Sequence, residues 1–207
     1  MAFVPRPRGQ LRIDPDMRPP RVSRPRDRRP ILIATKAMLF MGQETGIVRT
    51  PSPIYRPNVA AIIRRSDNKI LVGERSDRPG SWQFPQGGIK PRETPEQALE
   101  RELLEEVGLA GGSYRIIEHK GPYRYLFDTG RTKEGFHGQE QIYFLVELLP
   151  GYQPKHETSD PEFRSLRWIV PSEFNIEWVP PFKREVYRQV LTLFFGVQSL
   201  VGDGEAG

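Results

Sequence analysis

The sequence predicts an α/β or α+β sandwich, in which strands and two helices share one core. Three observations carry the prediction. Short apolar runs of strand type occupy residues 59–75 and 114–170. A helix with start and stop signals at its two ends separates these groups. A second run with helical spacing follows the last strand, and strands mixed with helices in this way bury a sheet against helices.

Each element has its own signal. Pro51, Pro53 and Pro57 make a stiff extended lead-in. Residues 59–65 and 69–75 read as two strands around the Ser66-Asp67-Asn68 turn, hence a hairpin. Residues 82–84 form a short apolar stretch. Thr94-Pro95-Glu96-Gln97 reads as a helix start, with Thr94 as N-cap, Pro95 in the first helical position and Gln97 closing a capping box. That helix runs to Val107, where Gly108 suits a left-handed cap. Residues 114–120, 123–127, 141–149 and 163–170 are separate strand candidates. Residues 130–138, with Arg131, Thr132, Lys133 and Glu134 inside, read as a mobile loop near the site. Phe182, Val186, Val190 and Phe194 lie on one stripe of a second helix. The domain is therefore set at residues 55–196, with a flexible tail at 197–207 and an N-terminal extension at 1–54.

Composition narrows the function. The chain has 207 residues and no cysteine, which excludes disulfides, cysteine-ligated metals and a cysteine nucleophile. No uncharged apolar run reaches the roughly 18–20 residues of a membrane span. Residues 31–41 come nearest, but they are short and carry Lys36, so the expectation is a cytoplasmic protein with no membrane partner. The net charge of +5 is unevenly spread. Residues 1–30 carry nine arginines against three aspartates, whereas the remainder is nearly neutral. With seven prolines and few large apolar residues, this segment cannot bury enough surface to order itself. It reads either as a solvated leader or as a loose arm for RNA.

One segment carries chemistry. Gly87 is followed after five residues by Glu93 and, after seven more, by Arg101-Glu102-Leu103-Leu104-Glu105-Glu106-Val107-Gly108-Leu109. Glu102, Glu105 and Glu106 stand at i, i+3 and i+4, one face of a helix. Such like charges require neutralisation, either by bound cations or by basic side chains. Clustered carboxylates suit Mg²⁺ or Mn²⁺, which leave positions for water and phosphate oxygens. Arg101 points to another face and can reach back to Glu93 or to a phosphate. An ordinary solvated acidic face is the alternative. Gln86-Gly87-Gly88 argues against it, because a backbone without Cβ atoms lets a metal or phosphate approach closely.

This spacing resembles the Nudix box, Gly-x5-Glu-x7-Arg-Glu-U-x-Glu-Glu-x-Gly-U with U aliphatic, at every position. A chance match of its seven fixed residues is on the order of 10⁻⁹ per register. Tyr55-Arg56-Pro57-Asn58-Val59, Ser81-Trp82-Gln83-Phe84-Pro85-Gln86-Gly87-Gly88, Gly138-Gln139-Glu140-Gln141, Pro161-Glu162-Phe163 and Phe182-Lys183-Arg184-Glu185-Val186-Tyr187 are similar to the bacterial RNA pyrophosphohydrolase and dinucleoside-polyphosphate hydrolase branch. The similarity runs from about Tyr55 to Phe195, and the 130–138 loop departs from the pattern.

The resemblance implies a mixed β-sheet sandwiched between α-helices, with the box forming loop–helix–loop. It implies that Glu102, Glu105 and Glu106 ligate the metals, with Gly87 as a further ligand through its carbonyl. Glu93 and Arg101 would brace the box. Glu162, before the last strand, would complete the metal site or act as general base. Arg56, Gln139, Gln141 and Lys183 would contact phosphate or nucleotide, as would Arg75 near the end of the second strand. Phe182 would stack on a base or, on its own spacing, pack in the core. Tyr125, 16 positions beyond Leu109, matches the dinucleoside-polyphosphate pattern. The implied reaction is removal of pyrophosphate from 5′-triphosphorylated RNA. The alternatives are asymmetric cleavage of diadenosine tetraphosphate to ATP and AMP, or a non-catalytic RNA-binding module.

Overall fold

The side chains of β1 (Tyr55–Arg64) alternate between two apolar clusters. Ala60 and Ile62 join one, and Val59, Ala61 and Ile63 join the other. A strand buried on both faces must lie inside a sheet that is covered on both sides. In the computed structural model, which describes residues 52–128, 130–158 and 161–202, β1 has that position. Burial of each such Ile or Leu contributes about 1.5–3 kcal/mol. The basic segment at 1–30, the candidate RNA arm, lies outside the described residues, as does most of the extension at 1–54.

The sheet has seven strands. Besides β1 these are β2 (Ile70–Arg75), β3 (Trp82–Gln83), β4 (Gln86–Gly88), β5 (Tyr114–Leu126), β6 (Gly138–Leu148) and β7 (Phe163–Ile169). The main order is β3-β2-β1-β6-β5, with β4 also paired to β1 and β7 to β2. β1 and β6 run parallel, from Tyr55 beside Gly138 to Arg64 beside Glu147. All other pairs are antiparallel, so the sheet is mixed. The predicted hairpin turn is present, with Asn68 at φ 64° and Arg65 N donating to Lys69 O at 2.9 Å.

One helix covers each face. α1 (Pro95–Val107) begins with the predicted capping box, in which Thr94 N donates to Gln97 Oε1 at 2.9 Å and Gln97 N to Thr94 Oγ1 at 3.3 Å. Gly108, at φ 64°, ends it and donates to Leu104 O. Its buried stripe of Ala98, Leu99, Leu103 and Val107 packs on Val59, Ala61 and Ile63. α2 (Pro181–Phe195) buries Val186, Tyr187, Val190 and Leu191 on the opposite face. Trp82 lies in this second core, and Trp168 packs at the edge of the first. Among the described residues, no helix is long and apolar enough to cross a membrane.

Two features differ from the sequence expectation. Residues 114–120 and 123–127 are not separate strands but one edge strand, β5. Register shifts between Ile116 and Glu118 and between Lys120 and Tyr123 absorb the mismatch, so the Gly121-Pro122 break bends the strand without ending it. The segment after Gly196 also folds back. Leu200 is buried, and Ile176 N donates to Val201 O at 2.9 Å, so the ordered part extends beyond residue 196.

Candidate active site

The loop and helix of the acidic segment form one unit, and Arg101 is its hub. Its Nε and Nη2 donate to the two oxygens of Glu93 at 2.7 and 2.8 Å. Nη2 also holds Gly88 O at 2.8 Å. Nη1 donates to Glu102 and, at 3.2 Å, to Glu105. Glu93 in turn accepts from Lys90 N at 2.8 Å, which closes the loop. The bidentate hydrogen bonds from Arg101 hold the Glu93 carboxyl down to about 2. Glu93 and Arg101 thus brace the loop that carries Gly87.

The three helical glutamates have different environments. Glu105 is exposed. Glu102 is half-buried, and burial pushes its carboxyl up against the pull of Arg101. A Cβ on Gly87 would fall 1.9 Å from the Glu102 carboxylate, so only glycine fits opposite it. Glu106 is 3% exposed. Its Oε2 accepts from Gln86 N at 2.9 Å, whereas among the described residues its Oε1 has no hydrogen-bond partner. Burial, then the Glu162 and Glu102 charges, raise its carboxyl well above the usual value. Glu162 is exposed at the mouth of the site. Ser76 anchors its backbone, with Ser76 N donating to Glu162 O at 2.8 Å and Ser76 Oγ to Pro161 O at 3.2 Å.

A basic side chain therefore neutralises Glu102 and Glu105, while among the described residues Glu106 forms no ion pair and feels the Arg75 and Lys183 charges only from a distance. Among the described residues, no three carboxylate, imidazole or thiolate groups are already arranged as a metal shell, because Glu102 and Glu105 turn towards Arg101. The donor set nevertheless fits a hard divalent cation. Among the described residues Glu106 presents a buried oxygen with no hydrogen-bond partner, and the missing Cβ of Gly87 lets the Glu102 carboxylate lie against the adjoining backbone. The residues that would hold Mg²⁺ or Mn²⁺ are Glu102, Glu105, Glu106 and Glu162, with the Gly87 backbone beside them.

Gly87, Glu102, Glu105 and Glu162 border a cleft of about 770 Å³ that also takes in Arg56, Arg75, Lys133 and Gln139, while Glu106 lies buried behind its wall. The Arg56 guanidinium packs on Gly88, where a Cβ would meet Nη2 at 2.6 Å. Arg75 is aimed by Asp77, at 2.7 and 2.8 Å. A pocket of about 220 Å³ adjoins the cleft and shares Arg75, Gln86, Lys133 and Gln139 with it, adding Phe182 and Lys183. Lys183 is buried, with its ammonium 3.3 Å from Gln86 Oε1 and over the Tyr125 ring at 5.4 Å. Burial, and the nearby Arg75 and Lys133 charges, lower it from 10.5 to about 7. Beyond lies an open groove of about 1430 Å³ with Tyr55, Tyr123, Tyr125, Phe127 and Phe182 in its walls.

Two sequence-predicted contacts are buried, Gln141 away from the cleft and Tyr125 in the wall of the open groove. Gln141 is fully buried and does not border the cleft. Its Nε2 donates to Asn58 Oδ1 at 2.7 Å and to Gln86 Oε1 at 2.8 Å, and its Oε1 accepts from Tyr143 at 2.8 Å. Both of its amide hydrogens are spent inside the protein, on Asn58 and Gln86. Tyr125 is also buried, with its hydroxyl on Gln139 Oε1 and its ring 5.8 Å from that of Phe182. Phe182 packs on the core and borders the groove at once. Sequence reasoning missed Gln86, which joins Glu106, Gln141 and Lys183, although it begins the Gln-Gly-Gly run. It also missed Lys133, which no local pattern distinguishes from other loop lysines.

The NUDIX domain model matches residues 54–190. The chain belongs to the Nudix hydrolase family. An RNA pyrophosphohydrolase of Helicobacter pylori (strain G27) is 41% identical over 146 residues, which is 68% of this chain and 93% of that protein. An RNA pyrophosphohydrolase of Rickettsia prowazekii (strain Madrid E) is 42% identical over 146 residues, covering 68% and 89%. Among solved structures, the E. coli dihydroneopterin triphosphate pyrophosphohydrolase aligns with a TM-score of 0.51 at 21% identity, covering 68% of this chain and 97% of that one. That likeness supports the Nudix fold, and the acidic loop–helix described above is the Nudix box.

Proposed function

We propose that this Nudix hydrolase removes pyrophosphate from 5′-triphosphorylated RNA and leaves a 5′-monophosphate end. The observation that carries the proposal is the unsatisfied, buried Oε1 of Glu106 beside a cleft bordered by Arg56, Arg75 and Lys133. A cation site next to a cationic wall is what a phosphoanhydride needs. The curated relatives at 41–42% identity, named RNA pyrophosphohydrolases, support the same choice of substrate.

When bound, a divalent cation supplies phosphoryl polarisation and a water acidified towards neutrality. The chain's residues do the rest. Glu102, Glu105, Glu106 and Glu162 would hold the cation. Arg56 and Arg75 orient phosphate oxygens and offset their charge. Glu162, exposed at the cleft mouth, accepts the proton of the attacking water at its carboxylate. The small pocket beside Arg75, Lys183 and Phe182 receives the first part of the nucleoside chain. The expected result with purified protein and Mg²⁺ is release of pyrophosphate from triphosphate-ended RNA. Intact RNA alongside cleaved free nucleotides would refute the proposal.

The aromatic groove favours a second reading, asymmetric hydrolysis of diadenosine tetraphosphate, because Phe182 and its neighbours can stack a second base. Competition between both substrates decides, through the ratio of their kcat/KM values. A non-catalytic RNA-binding role predicts that Glu106→Gln leaves the biological effect intact. The arginine-rich segment serves as an RNA arm in this proposal. Deleting residues 1–30 should lower RNA affinity at low salt and flatten its salt dependence by about 0.7 in log–log slope per lost phosphate contact. Identical slopes would remove the arm from the account. A cytoplasmic location belongs to the same proposal.

A further inference from the structure

The loop between β5 and β6 ends in a hairpin of its own. Lys133 N donates to Phe136 O, and Phe136 N to Lys133 O, both at 3.0 Å. The two residues between them, Glu134 and Gly135, have φ of 54° and 83°. Positive φ at both central positions is the pattern of a tight type I′ turn, which fixes what lies on either side of it. The base of the hairpin is tied down. His137 N donates to Ile54 O at 2.8 Å, Ile54 N to His137 Nδ1 at 3.0 Å and Phe127 N to His137 O at 2.9 Å. The tip is tied as well, through Glu134 and Arg56 at 3.7 Å.

This frame brings Lys133 to the wall of both the carboxylate cleft and the adjoining small pocket. Among the described residues, no ion pair is formed by Lys133, whereas Arg56 and Arg75 each have a carboxylate partner. Its charge is close enough to Lys183 to help depress that ammonium. Three cations, from β2, α2 and the hairpin, thus crowd one junction, and only Arg75 is paired. Like charges held together repel; the Glu106 and Glu162 carboxylates act on Arg75 and Lys183 from the neighbouring cleft, and a phosphate arriving among the three cations would relieve the repulsion further.

We propose that Lys133 is a further substrate-binding residue, placed by the hairpin tip to contact the polyphosphate where it crosses from the carboxylate cleft into the small pocket. The inference rests on the proposal that this cleft takes a polyphosphate. The Arg56–Glu134 pair holds the tip over the cleft, so one short turn seats two phosphate-facing cations. Lys133 then acts in binding, not in the chemical step.

The test uses the full chain with Mg²⁺ and a triphosphate-ended RNA, comparing wild type with Lys133→Met and Lys133→Arg. The Met variant should raise KM about five- to tenfold, the size of one partly exposed charged contact, with kcat within about twofold. Its log–log salt slope should fall by about 0.7. The Arg variant should restore most of both. Unchanged KM and slope in Lys133→Met, with the wild type active, would overturn the proposal. Inorganic tripolyphosphate is titrated in parallel as a probe with no base. Weaker binding to Lys133→Met supports the role whichever polyphosphate the enzyme turns over, and equal binding overturns it. A wild type that ignores RNA but binds tripolyphosphate through Lys133 would refute the RNA proposal alone. Unchanged melting of both variants separates contact from folding.

Discussion

The carboxylate cleft and the recognition side are built in opposite ways. Apart from Glu162, which the loop before β7 supplies, the cleft's carboxylate half comes from one stretch, Gly87 to Glu106, where cap, helix period and Arg101 set the partners locally. The recognition side draws Arg56 from β1, Arg75 from β2, Lys133 from a hairpin and Lys183 from α2. Chemistry in this fold travels as a contiguous cassette. Specificity is assembled by the sheet from distant places, and each contributor can vary alone.

The largest effect should come from breaking the cassette at its buried oxygen. Glu106→Gln is expected to lower kcat by about 10²-fold or more, measured as pyrophosphate release. It should not lower Tm, because it removes a carboxyl whose ionised form is buried and unpaired. The folded-state carboxyl of Glu106 sits above its unfolded value. Its contribution to stability is therefore present at low pH and is lost as pH rises through the raised value. A divalent cation competes with that proton, so the Tm gain from Mg²⁺ should grow as pH rises and largely vanish in Glu106→Gln. A pH-independent gain would remove Glu106 from the cation site.

Next in size is Gly87→Ala. The new Cβ would overlap the Glu102 carboxylate, so kcat should fall about tenfold or more, with a smaller change in KM. An unaltered kcat would show that Glu102 does not need its present place. The joint between the two regions is Gln141. Gln141→Leu strands Asn58 Oδ1 and the Tyr143 hydroxyl and leaves Gln86 Oε1 with Lys183 alone, at about 2–4 kcal/mol, or about 5–10 °C in Tm. A thermal scan checks it. Lys183→Met changes the pH dependence of stability. Lys183 titrates near 7 when folded and near 10.5 when unfolded. Between those values the unfolded chain binds the extra proton, so this group makes stability rise with pH across that window. The Met variant should flatten that slope in denaturant titrations at pH 7.5 and 10.

What was legible in the sequence follows the same division. The capping box at Thr94, the Gly108 stop and the Asn68 turn are local chemistry and stand where expected. The brace between Arg101 and Glu93 was readable for the same reason. Gln141 looked like a ligand contact because a polar residue in an apolar strand has two explanations, and only the packed neighbours choose between them. The edge strand β5 looked broken at Gly121-Pro122 because a register shift on β6 is invisible in one strand's pattern. Lys133 was legible only as part of a loop, since its importance comes from where β5 and β6 aim that loop. The fold back to Val201 rests on a partner, Ile176, well upstream in the chain.

The parallel ladder between β1 and β6 has a consequence for biosynthesis. The central strand of the domain emerges from the ribosome first, but its parallel neighbour is 83 residues behind it, at Gly138 to Glu147. At about 5–20 residues per second, Val59, Ile62 and Ile63 wait several seconds without that cover. During this interval the nascent chain offers a bare apolar β-segment to chaperones and to other chains, and the Nudix box is already outside before the sheet it leans on is complete.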